Sequence, residues 1–186
     1  MRYLIRSSKS KIWLCFNAIF DWLGKVCYLQ MEKINKLVIF QLGQQRFALH
    51  LYHVETIIHS VEIQPLPMAP DFIAGTINYH GSFLPVIDLR KLFLLPVREL
   101  ELTDHFIITR KASTRVVIWA DSVSEVVEVD NSEIESTGKI LMDSEFIEGL
   151  FKIQDDIVLI HDLDKLLETD QIVKLRMALE LESVKL

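Results

Sequence analysis

Residues 75–90, GTINYHGSFLPVIDLR, place His80, Ser82 and Asp88 within nine positions, the three residue types of a hydrolytic triad. A triad needs each member within hydrogen-bonding reach of the next. If 82–88 is a strand, Ser82 and Asp88 share a face but stand about 20 Å apart, at ~3.3 Å per residue. They cannot share one imidazole, and the chain contains no G-x-S-x-G elbow. A hydrolase using His80 and Ser82 is therefore the least favoured reading.

The other chemistry-bearing residues are scattered. His50 and His53 are close in sequence, which keeps a ligand- or metal-sensing β-barrel module as an alternative. No helical His-x-x-x-His and no cysteine partner completes a metal-binding pattern. The six glycines form neither G-x-x-x-x-G-K nor G-x-G-x-x-G. No catalytic residue, metal or cofactor is expected. Gly75 fits a bulge or a close backbone approach and Gly81 a turn. Pro85 lacks an N–H, so its strand should lie on an edge or carry a bulge. Asp88 and Arg90 alternate to one side of the strand end, as an ion pair or a turn cap would.

The elements that must position these residues occur twice. NKLVIFQLGQQRFALHLYHVETII (35–58) aligns with DHFIITRKASTRVVIWADSVSEVV (104–127) without gaps. FIAGTINYHGSFLPVIDLRKLF (72–93) aligns with FIEGLFKIQDDIVLIHDLDKLL (146–167), matching Gly75 with Gly149 and Asp88 with Asp162. Two similar offsets in the same order mark a duplicated unit. Each copy reads as about five short strands with hairpin and proline punctuation. The expected fold is mainly β: two pseudo-repeated, five-stranded barrels followed by a C-terminal helix, with Thr169 and Asp170 as a helix cap.

Composition narrows the function. The chain has 186 residues and a formal charge of −6, from 20 basic and 26 acidic side chains. An acidic chain without a basic stripe is a poor match for nucleic acid. Residues 1–33 carry +4 and both cysteines, Cys15 and Cys27, so the rest of the chain carries −10 and no thiol. Two readings of this N-terminal extension stand: a start placed upstream of the true one at Met31, or a basic, Trp-rich amphipathic segment touching a membrane surface. Its apolar run is too short to insert as a spanning helix. The expected divisions are 1–33, a two-barrel domain over 34–175, and the end of the helix with a tail over 176–186.

With these elements in place, GTINYHGSFLPVIDLR resembles the signature of the CheW chemotaxis coupling family, G-x-x-N-x-R-G-x-x-x-P-[VI]-[VI]-D-L-R. The resemblance takes in LVIFQLGQQRFAL, PDFIAG, SVSEVVEV and FIEGLFKIQDDIVLIHDLDKLL. It implies SH3-like barrels and a cytoplasmic, non-catalytic adaptor at membrane-associated receptor arrays. The implied partners are a chemoreceptor's helical hairpin and the CheW-like regulatory domain of a CheA-type histidine kinase. The implied receptor-binding residues are Val54, Thr56, Asn78, His80 and Gly81. Gly75, Pro85, Asp88 and Arg90, with Gly149 and Asp162 in the second copy, would shape the turn and strand. Two positions depart from the pattern: His80 stands where the family usually has Arg, and Thr56 where it usually has Glu. Such changes fit a specialised partner, as in the chemosensory systems that control pili and twitching.

Overall fold

A computed structural model of the chain describes residues 34–112, 114–136 and 146–168. The chain divides between Ile34 and Asn35, and the described residues from Asn35 onward belong to one unit. The N-terminal extension, the Thr169–Asp170 cap, the remainder of the C-terminal helix and the boundary at 175 lie outside the described residues.

The first copy supplies β1 (Ile34–Leu42), β2 (Gln45–His50), a 3-10 turn (Leu51–His53), β3 (Val54–His59), β4 (Ile73–Tyr79), β5 (Ser82–Ile87) and a one-turn helix, α1 (Leu89–Leu92). The second supplies β6 (His105–Lys111), β7 (Thr114–Ala120), β8 (Ser122–Asp130), β9 (Glu135–Ser136), β10 (Ile147–Ile153), β11 (Asp156–His161) and α2 (Leu163–Glu168). Helix α1 was not legible in the sequence. It exists because Asp88 caps it, its side chain accepting the Arg90 amide at 3.1 Å.

The two sheets correspond to the two barrels, with one difference from the expected assignment of strands. Each copy does not close on its own five strands. One sheet runs β8-β1-β2-β11-β10-β9 and the other β3-β6-β7-β5-β4. The opening hairpin of each copy thus joins the closing strands of the other. The junctions are parallel and equivalent: Ala48 faces Ile160 in one, and Val117 faces Val86 in the other. The two-residue β9 brings the first sheet to six strands.

Strand alternation explains the unbroken apolar runs. In β1, Leu37 and Ile39 enter a core within the first sheet, while Phe40 and Leu42 enter a core shared by both sheets. In β6, Phe106 and Ile108 face their own sheet's core and Ile107 the shared one. A strand buried on both faces needs apolar residues at every position. Each such Leu, Ile or Phe contributes about 1.5–3 kcal/mol by its burial.

Pro85 is accommodated differently from the expectation. β5 is an internal strand, between β7 and β4. Its ladder to β7 covers Val86 and Ile87, so Pro85 pairs on one side alone, opposite Thr76. The bulge lies in β4, between Ile73 and Gly75.

Candidate functional site

The β4–β5 turn holds three of the five residues expected to meet a receptor. His80 and Gly81 have φ of 50° and 81°, the pair of left-handed residues of a type I′ hairpin turn. Asn78 completes the turn, its Oδ1 accepting the Gly81 amide at 2.9 Å. All three are exposed, and the His80 ring meets the Tyr79 ring edge-on at 4.4 Å. The second copy keeps a left-handed residue at the same position, Gln154 at φ 56°, without a second one after it.

The other two residues lie on β3, at the opposite edge of the same sheet. Val54 and Thr56 are half-buried, whereas Glu55 between them is exposed and bonds Arg115 on β7. Glu55 thus sits at the bulge between Val54 and Thr56 and is held by Arg115. The loop after β3 returns to β4 through a Gln64–Thr76 bridge. Among the described residues no hydrogen bond joins β3 to the His80 turn.

Gly75 permits that return. A Cβ there would lie 2.3 Å from the Gln64 carbonyl oxygen, and its φ of 151° suits glycine. Gly149 does the same for the second copy, where a Cβ would lie 2.7 Å from Ile134 Cγ2. Each glycine follows a bulge at the same point of its hairpin.

Ser82 and Asp88 flank opposite ends of β5, and His80 points outward from the turn, so no triad assembles. Asp88 is instead part of a buried ionic lock. Arg90, 1% exposed, bonds Asp88 at 3.0 Å, pairs with Asp121 and lies 4.8 Å from the Trp119 ring. Arg98 bridges Asp121 and Asp104, and Trp119 donates to Asp104 at 2.9 Å. Burial would raise the pKa of Asp104, but Arg98, the Glu101 amide and Trp119 hold it below its ordinary value. Arg98, Asp104, Trp119 and Asp121 were missed in the sequence, because their partners are fixed by tertiary contact. The Asp-x-Arg spacing alone signalled the lock.

At the equivalent point of the second copy, Asp162 accepts the Lys165 amide at 3.0 Å. There the surroundings form an open pocket of about 280 Å³. His50, Tyr52 and His53 line it from the first copy, and Glu148, Asp164 and Lys165 from the second. His50 donates from Nε2 to Glu148 at 2.8 Å, and His53 Nε2 lies 3.2 Å from Asp164. Burial lowers the His53 pKa against the pull of Asp164. Partial burial of the ring beside His50 and His53, then Asp164, Glu148 and Asp162, push the Tyr52 phenol upward, although most of the residue is exposed. Among the described residues no three His, Cys, Asp or Glu side chains are grouped to hold a metal. No helix among them is long and apolar enough to cross a membrane.

Residues 36–171 match the model of the CheW-like domain, and the chain belongs to that family. It is 30% identical to the chemotaxis protein CheW of Bacillus subtilis, over 73% of this chain and 88% of that protein. The identity to CheW of Treponema pallidum is 26%, over 75% and 86%. Among solved structures it is similar to the scaffolding protein TtCheW of Thermoanaerobacter tengcongensis, with a TM-score of 0.67 and 31% identity, covering 74% of this chain and 95% of that one.

Proposed function

We propose that this chain is a non-catalytic scaffold that couples chemoreceptors to a CheA-type histidine kinase in the cytoplasm, at membrane-associated receptor arrays. The observation that carries the reading is the match across both barrels to chemotaxis CheW proteins. The expected receptor residues are also accessible: Asn78, His80 and Gly81 are exposed at one hairpin, and Val54 and Thr56 are half-buried on β3. Apolar walls would supply affinity for a receptor helix, and the polar rim would set its register.

The pair His80 and Thr56 supports a specialised receptor, as in pilus or twitching control. A guanidinium and a carboxylate would impose a fixed charge pattern on the partner, which an imidazole and a hydroxyl do not. The test is affinity capture of the full chain from its own cells with mass spectrometry of what it retains. Stoichiometric recovery of one CheA-type kinase with a chemoreceptor is the expected result. Capture of neither overturns the reading. His80→Arg with Thr56→Glu should move the chain toward general chemotaxis receptors.

A further inference from the structure

We infer that the pocket beside Tyr52 and Glu148 binds the basic side chain, arginine or lysine, of a protein partner. Its carboxylates are not equivalent. Asp162 and Asp164 each face a lysine at 3.1 Å, Lys165 and Lys111 respectively, and Lys111 also pairs with Glu168. Glu148, half-exposed, faces His50, which is no permanent cation. No lysine or arginine pairs with it among the described residues. Next to it Tyr52, 73% exposed, lies 5.0 Å from the His50 ring and 4.2 Å from the His53 ring. With the imidazoles beneath it, Tyr52 keeps most of its surface open. A carboxylate lacking a cation beside an open aromatic face suits a guanidinium or ammonium group.

The molecule's own duplication shows what such a site holds. In the alignment of the two copies, Asp164 takes the place of Arg90, His50 that of Trp119 and Tyr52 that of Asp121. Where the first copy's closing strands meet the second copy's opening hairpin, Arg90 lies over the Trp119 ring and pairs with Asp88 and Asp121. At the other junction Asp164 stands in place of the arginine, Asp162 keeps the capping carboxylate, His50 and Tyr52 supply the rings, and the surroundings are open. Glu148, Asp162, Asp164 and Glu168 outweigh Lys111 and Lys165, so the local field attracts a cation and repels an anion.

The inference is independent of the scaffold reading, because the test probes the pocket alone. The ¹⁵N-labelled full chain is titrated with acetyl-Gly-Arg-Gly-amide and with the same peptide carrying citrulline, followed by backbone amide shifts. Saturable shifts confined to residues 50–53 and 148 are expected for the arginine peptide, with citrulline at least about tenfold weaker. Glu148→Gln should weaken binding about tenfold and Tyr52→Ala about threefold. Both side chains are exposed enough to change without unfolding, and the amides of the β4–β5 hairpin report a retained fold. Absent saturation, equal citrulline binding, an unaffected Glu148→Gln variant, or shifts spread along the acidic strand β8 would each overturn the proposal.

Discussion

The two copies share a backbone and invert its charge. In both, the residue before the short helix donates its amide to a phenylalanine carbonyl at 2.8 Å, Asp88 to Phe72 and Asp162 to Phe146. Both place a glycine against the returning loop and a left-handed residue at the hairpin tip. Two residues beyond the cap they part. Arg90 is sealed among Asp88, Asp121 and Trp119, while Asp164 is 46% exposed beside His53 and Lys111. Duplication preserved what the chain path needs and released the side chains around it. One junction between the copies became a lock and the other a pocket.

The contrast is sharpest in stability. Arg90→Ala leaves the buried Asp88 without its cation, while Arg98 keeps Asp121 paired, and should cost about 3–5 kcal/mol. Asp164→Ala removes an exposed charge and should cost less than about 1 kcal/mol. Urea denaturation of both variants checks this, and equal costs would erase the distinction between lock and pocket.

A second contrast sets His161 against its counterpart Ile87. The His161 ring is fully enclosed, its Nδ1 donating to the Phe146 carbonyl at 2.8 Å and Nε2 lacking a partner among the described residues. Burial lowers its pKa to about 4. The unfolded chain therefore takes the proton first. Stability is complete above the ordinary value of about 6.5 and falls as the pH drops toward 4, by up to about 3 kcal/mol. His53, also lowered by burial, adds in the same direction. Denaturation midpoints between pH 8 and pH 4 should show this loss, and His161→Leu should flatten most of it.

The paired glycines should differ less. Gly75→Ala forces a backbone oxygen aside at a φ of 151° and should cost about 2–3 kcal/mol. Gly149→Ala meets first a movable isoleucine methyl, and about 1 kcal/mol is expected. Thermal melts would separate the two. The smallest effect belongs to the turn: Asn78→Ala loses one hydrogen bond, about 1 kcal/mol, whereas Lys152→Ala at the matching position should stay within about 0.5 kcal/mol.

Much of this was legible in the residue pattern. Apolar alternation and turn residues located β1 to β8, β10 and β11, and residue type alone singled out Gly75, Gly81 and the Asp88–Arg90 pair. The exchange of hairpins was hidden, because a period of two tells which face of a strand is buried but never which strand lies beside it. Pairs such as Arg46 with Val158 depend on the whole chain. The pocket escaped for a related reason. His50 and His53 read as scattered histidines until Glu148 and Asp164, far along the chain, faced them.

The exchanged hairpins also govern how the chain is made. While β11 is still unsynthesised, β2 has one bare edge, and the first sheet lacks the strand that joins its two halves. A nascent or truncated chain ending anywhere before Asp156 therefore holds an aggregation-prone intermediate rather than a finished first module. A premature stop should remove the protein through clearance of the fragment. It should not leave a half-scaffold that competes for partners.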